Sequence, residues 1–271
     1  MADSSIASAA IDYQEHEDAR RRAQDDGERH RNGWRVLTKP RLRAAVAVGL
    51  TLAALQQFVG INTIIYYAPT IMERTGLSAS NSILYSVAIG VINLAITIVS
   101  LRLIDRVGRR PLFLVSLRGM LVSLVLLGLS FVAHLPSGIT LVFILLYIVS
   151  FGVGMGPVFW VLIGEIFPSD DRAEGVSAGS TVNWTANFAV SLVFLPLVNA
   201  IGQGQTFWLF AVVCAFAIWF VARYVPETSG RTFLEVDADL QARWKGEPQP
   251  VAGRRSGHRE TPSSTRPAHR A

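Results

Sequence analysis

"QQFVGINTIIYYAPTI", residues 56–71, decides the fold. It continues an apolar run that begins at Ala44, yet it carries Gln56, Gln57, Asn62, Tyr66 and Tyr67 where a plain lipid-embedded helix carries Leu, Ile and Val. A buried amide costs free energy unless it is hydrogen-bonded. The stretch therefore reads as a membrane span whose polar groups serve something other than lipid.

The surrounding sequence supports spans throughout. Between Ala44 and Leu101 the only charged residues are Glu73 and Arg74, and none occur from Gly119 to Gly164 or from Gly175 to Ala222. A helix of about 20 mostly apolar residues is long enough to cross the hydrocarbon. Six spans are expected, near 44–72, 82–103, 112–133, 140–163, 175–199 and 205–224, with breaks rich in Gly, Pro, Ser, Asn or charge. The fold class is thus an all-α membrane protein with six transmembrane helices. Around this unit (44–224), residues 1–43 read as a charged linker, with 12–31 forming a salt-bridged helix. Residues 225–240 form a further segment, and the Pro-, Gly-, Ser- and Arg-rich 241–271 a disordered tail.

Charge sets the orientation. With six spans, 24 of the 25 Lys and Arg residues fall on one face, and only Arg74 falls on the other. The positive-inside rule then places both termini of a multi-pass cell-membrane protein in the cytoplasm. The net charge of +5 follows from that orientation, not from nucleic-acid binding. The lone Cys214 permits no intrachain disulfide and reads as a small core residue.

Polar residues inside the spans cluster by face. At 100° per residue, Ser86, Gly90, Asn93, Thr97 and Ser100 share a sector of roughly 80°. Ser180, Asn183, Trp184, Asn187 and Ser191 share one of about 100°. Gln56, Gln57, Gly60 and Tyr67 form a third, but Asn62 points about 120° beyond its edge on a straight helix. Either the first span serves two faces or its backbone unwinds near Gly60, a device known in transporters. Such side chains also make helix–helix hydrogen bonds, worth about 0.6–2 kcal/mol. Three helices each carrying an amide-bearing stripe favour a shared polar cavity, and neutral amides suit a ligand rich in hydroxyls. No Asp, Glu, Lys or Arg is expected at mid-membrane depth, so a proton relay has no ionisable group there. "GVGMGP", residues 152–157, should loosen the fourth span, and Gly175 with Gly179 allows close helix contact.

Nothing supports an enzyme or a cofactor. The chain has no GxxxxGK[ST], no HExxH and no metal-spaced Cys/His group.

Five blocks in order, "QQFVGINTIIYYAPTI", "DRVGRRPL", "GMGPVFWVLIGEIFPSDDR", "NWTANF" and "VPETSGRTFLEV", resemble the sugar porter family of the major facilitator superfamily, specifically its C-terminal six-helix half. The resemblance implies sugar contacts from Gln56, Gln57, Asn62, Asn93, Trp160, Asn183, Trp184 and Asn187. It implies an extracellular gate at Tyr66 and Tyr67. It also implies a cytoplasmic gate of charges: Asp105, Arg109, Arg110, Glu165, Arg172, Glu227 and Arg231. Phe159 stands where many members carry a second proline, and Met155 where they often carry proline or another residue, departures in the segment that gates the inner path. Family members have twelve spans, so the expected function is the C-terminal half of a monosaccharide or polyol transporter, from a truncated or split chain. It would work by alternating access against an N-terminal six-helix half. The alternative is a non-transporting sugar sensor or an inactive membrane remnant.

Overall fold

The computed structural model describes Glu17 and residues 33–76 and 78–247. All regular structure among them is helical. Two short 3-10 turns, Gly33–Thr38 and Pro40–Leu42, lead into the bundle. The helices are α1 (Arg43–Phe58), α2 (Ile61–Tyr66), α3 (Ala68–Glu73), α4 (Ala79–Val107), α5 (Arg109–Val132), α6 (Ser137–Val153), α7 (Met155–Glu165), α8 (Arg172–Ile201), α9 (Gln203–Tyr224) and α10 (Phe233–Lys245). They supply six segments long and apolar enough to cross a membrane, the first running through α1 and α2 and the fourth through α6 and α7.

The first of these is broken at a glycine. Gly60 sits at φ 92°, in the left-handed region that L side chains rarely adopt, and α1 stops before it. A Cβ on Gly60 would come within 2.5 Å of the Phe210 ring, so α9 packs directly against the break. The backbone groups released there find partners. Tyr147 donates its hydroxyl to the Val59 carbonyl (2.8 Å), and Thr63 adds a second bond to the Gly60 carbonyl (2.7 Å), which also takes the Ile64 N–H (3.0 Å). A second interruption at Tyr67 precedes Pro69 and starts α3.

The fourth segment breaks at Gly154, where a Cβ would lie 2.5 Å from the Leu112 carbonyl oxygen of α5. Serines satisfy the freed groups: Ser100 donates to the Val153 carbonyl, and Ser116 donates to the Ser150 carbonyl (2.6 Å) while accepting from the Met155 N–H (2.8 Å). Without such partners each orphaned group would be costly in an apolar bundle. Gly175 and Gly179 let α8 approach closely, against Phe167 and Ile163.

The core lies between α1, α5, α6, α7 and α9, with Leu52, Phe113, Leu124, Ile148 and Phe207 fully enclosed. By contrast α4 and α8 are barely covered: 17% and 22% of their apolar windows are buried, against 67% for the first segment. Val87, Val91, Leu94 and Ile98 on α4, and Trp184, Phe188 and Leu192 on α8, all face outward.

Three expectations need correction or limitation. The segment from 241 is not wholly a tail: α10 continues to Lys245, because Ala242 and Arg243 are buried and Arg243 pairs with Asp239 (3.0 Å). The third segment carries an internal charge, Arg118, about 13 Å along α5 from its first residue and short of mid-helix. It is exposed beside Val115 and Val122, and its side chain leans toward the helix N-terminus, as helical Cβ bonds do. The helix expected over 12–31 and the tail beyond 247 lie outside the described residues, Glu17 excepted.

Candidate functional site

The two breaks bring three helices' amides together. Gln56, on the last turn of α1, reaches the loosened start of α7, where its Nε2 lies 3.1 Å from the Met155 carbonyl and 3.2 Å from that of Gly156. Its Oε1 accepts from Asn183 Nδ2 of α8 at 2.6 Å, and the same nitrogen donates to the Ala53 carbonyl at 3.0 Å. Gln57 Nε2 donates to Asn183 Oδ1 at 3.0 Å. Asn62 Nδ2 donates to Gln57 Oε1 at 2.8 Å, which the left-handed turn at Gly60 makes possible.

These amides open onto a cleft of about 310 Å³, within the range of small-molecule sites. Gln56, Gln57, Asn62 and Asn183 form one wall, and Asn93 and Thr97 of α4 another. Phe151, Pro157, Trp160 and Trp184 add apolar surface. Asn93 is half-buried and makes no side-chain hydrogen bond among the described residues, so its amide is available to a ligand. Trp160 is braced edge-on by Phe159 (centroids 4.9 Å apart), and Trp184 is 62% exposed. The arrangement offers neutral donors and acceptors beside flat aromatic faces, with no charge among the lining residues.

Asn187 is placed differently. It is buried a turn above Asn183, its Nδ2 donating to the Tyr66 hydroxyl (3.3 Å) and its Oδ1 accepting from Ser191 (3.3 Å). It does not line the cleft. Tyr66 is half exposed, whereas Tyr67 packs on Phe194 and donates to the Ser191 carbonyl (3.1 Å). Tyr66 at the end of α2 and Tyr67 at the interruption after it are thus both tied to α8.

At the arginine-rich end of the bundle, Arg109 contacts Asp105 (3.2 Å) and Glu165 (3.1 Å) and donates to Ser229 (3.1 Å). Glu165 also accepts from the Thr228 hydroxyl. Glu227 is a helix cap: its carboxylate accepts the backbone N–H groups of Arg109 (2.9 Å) and Arg110 (3.1 Å) at the start of α5. It also accepts those of Thr228 (3.0 Å) and Ser229 (2.9 Å). Arg110 donates to the Ala222 carbonyl (2.7 Å), and Arg231 pairs with Asp239 (3.2 Å) rather than with Glu227. Arg172 is exposed and makes no ion pair among the described residues. Its neighbour Asp171 is buried and holds Arg41 and Lys39, a contact across 130 positions that the sequence did not signal. Asp239, clasped by Arg231 and Arg243, was also missed, although its i,i+4 spacing to Arg243 was visible.

The model of the sugar (and other) transporter family matches residues 5–240. The chain belongs to that family. A D-xylose transporter of Levilactobacillus brevis is 35% identical over 215 residues, covering 78% of this chain and 47% of that protein. The D-xylose-proton symporter of Escherichia coli is 34% identical, covering 71% of this chain and 40% of that protein. A solved structure of the proton:xylose symporter XylE bound to 6-bromo-6-deoxy-D-glucose superposes with TM-score 0.65 at 34% identity, covering 73% of this chain and 42% of that one. A double-tryptophan XylE mutant gives TM-score 0.68. The chain is therefore a multi-pass membrane protein with the fold of one six-helix half of the major facilitator superfamily. It spans about half the length of the curated relatives it matches.

Proposed function

We propose that this chain binds a monosaccharide or polyol in the cleft at the two helix breaks and forms one half of a sugar transporter. One observation carries the reading: an uncharged cluster of buried carboxamides, flanked by Trp160 and Trp184, opens into a cleft inside an otherwise apolar bundle. Sugars present hydroxyls that both donate and accept, which carboxamides match without the desolvation cost of a charge. The relatives that transport D-xylose support this substrate class.

Within this reading Gln57, Asn62 and Asn93 are the hydrogen-bonding ligands, and Trp160 and Trp184 flank the ring. Tyr66 and Tyr67 form the outer gate. The network of Asp105, Arg109 and Glu165, with Glu227 capping α5, closes the cytoplasmic end. Lys and Arg asymmetry supports a cell-membrane topology with residues 33–43 and α10 in the cytoplasm.

The outward faces of α4 and α8 expose Leu94, Ile98, Phe188 and Leu192 next to the cleft-lining Asn93 and Trp184. They support a second six-helix bundle as the partner, and transport proceeds by rocking one bundle against the other. Isotope uptake in a sugar-transport-deficient host tests this. Uptake is expected when a matching N-terminal half is co-expressed, and is expected to fall when Asn62 is replaced by Ala. Uptake indifferent to Asn62 and Gln57 substitutions would overturn the assignment.

A further inference from the structure

The carboxamides do more than crowd together: their hydrogen bonds all run in one direction. Asn62 donates to Gln57, Gln57 to Asn183, Asn183 to Gln56, and Gln56 to the carbonyls of Met155 and Gly156. Gln57, Asn183 and Gln56 each accept on the oxygen and pass the chain on through the nitrogen, and Asn62 starts it as a donor. The ends fix that direction, because backbone carbonyls can only accept. Met155 and Gly156 require the nitrogen of Gln56 to face them. Independently, the Ala53 carbonyl requires the nitrogen of Asn183 at 3.0 Å, which leaves the oxygen of Asn183 for Gln57. Turning either amide over would set oxygen against oxygen at hydrogen-bond distance.

Asn183 is the hub. Its two N–H groups are both engaged and its oxygen accepts from Gln57, while the residue is 2% exposed. No donor remains for a ligand, and the second acceptor site of the oxygen is buried with the residue. At the other end, the oxygen of Asn62 and the second N–H of Gln57 are unengaged and lie at the cleft. The chain also spans the fold. It starts beside the Gly60 break, crosses α8 at Asn183 and ends at the Gly154 break. In a low-dielectric interior, such serial bonds polarise one another.

We propose that Asn183 is a positioning residue and not a sugar ligand. It sets the direction of the amide chain, and so decides which atoms of Gln57 and Asn62 face the sugar. It also ties the break in the first segment to the break in the fourth. The statement about the sugar rests on the function proposed above; the tie between the breaks does not.

The test uses the full chain in lipid nanodiscs. In the absence of sugar, hydrogen–deuterium exchange is followed in Asn183→Leu, and in Asn183→Ser as the milder variant should Leu fail to fold. Exchange is expected to rise about tenfold at both 58–62 and 154–158, with the α8 backbone around position 183 unchanged. A rise at only one break, at neither, or throughout α8 overturns the tie. With sugar, affinities for D-glucose and its monodeoxy analogues are read from the quenching of tryptophan fluorescence. Asn183→Ser should weaken every analogue by the same factor, whereas Asn62→Ala should lose sensitivity to one particular hydroxyl. A hydroxyl-specific loss in Asn183→Ser would make it a ligand and overturn the positioning role. If the unsubstituted chain binds no sugar, the sugar reading fails while the exchange arm still decides the tie.

Discussion

Replacing Gly60 by Ala probes the break on which the cleft depends. Two costs are built into the site. At φ 92° an L side chain is strained, a penalty of roughly 1–2 kcal/mol. The new Cβ would also stand 2.5 Å from Cδ2 and 2.6 Å from Cε2 of Phe210, a ring stacked on Phe194 with centroids 6.2 Å apart. Forcing an extra methyl into such packing costs about 1–3 kcal/mol. Together Gly60→Ala should cost about 2–5 kcal/mol, or roughly 4–20 °C in Tm at about 2–4 °C per kcal/mol. Thermal unfolding in a single detergent is the assay. Gly90→Ala is the control, since a Cβ there meets nothing within 4 Å in the middle of α4, and it should be neutral or slightly stabilising. Adding Phe210→Ala to Gly60→Ala should be less damaging than the sum of the two changes, because the ring that clashes is gone. A Gly60→Ala protein melting within about 1 °C of the unsubstituted chain would refute the argument that backbone conformation and ring packing both demand glycine here.

Three further outcomes concern Glu227, Thr232 and Arg118. Glu227→Ala removes the acceptor of four backbone N–H groups and should cost about 2–4 kcal/mol, with Glu227→Gln recovering part; equal stability of the Ala variant would count against the cap. Thr232→Ala breaks the capping box of α10 and should cost about 1 kcal/mol of local stability, read by exchange over 233–245. The backbone and side-chain hydrogen bonds of Thr232 hold the Glu235 carboxyl below the usual glutamate range. The support that Glu235 gives α10 is therefore complete above that range and is lost as pH falls through the lowered value. In Thr232→Ala the loss should begin at higher pH. Arg118→Leu removes an exposed charge from a membrane span, where a charge at the helix centre costs about 2.5–3.5 kcal/mol. In neutral-lipid nanodiscs the variant should be as stable as the original or more so, and a clear loss would mean that Arg118 has a protein partner.

The sequence was most informative where physics acts locally. Six apolar runs marked six spans because hydrocarbon tolerates little else. The break at Gly60 was legible because Asn62 could join Gln56 and Gln57 only if the helix stopped being straight. The list of site residues mixed different roles, because a helical wheel gives a direction but not a partner. Asn183 and Asn187 share a stripe of α8, yet one spends both N–H groups inside the amide chain and on Ala53 while the other turns to Tyr66. Glu227 looked like one charge among several, and its caps on Arg109 and Arg110 depend on contacts more than a hundred residues away. The pairing of Asp171 with Arg41 was invisible for the same reason. Helix α10 ran past its expected end because Arg243, which reads as a surface charge, is buried on Asp239.

The central claim is that the carboxamide cleft binds a sugar, and equilibrium titration of the chain in nanodiscs tests it most directly. Trp160 and Trp184 border the cleft, so tryptophan fluorescence reports its occupancy. Saturable quenching by D-xylose or D-glucose is expected, with Kd on the order of 1 mM, equivalent to about −4 kcal/mol. It should weaken at least about tenfold in Asn62→Ala, a loss of about 1.4 kcal/mol. No saturable response to any pentose, hexose or polyol, or a response untouched in Asn62→Ala and Gln57→Ala, would contradict the claim.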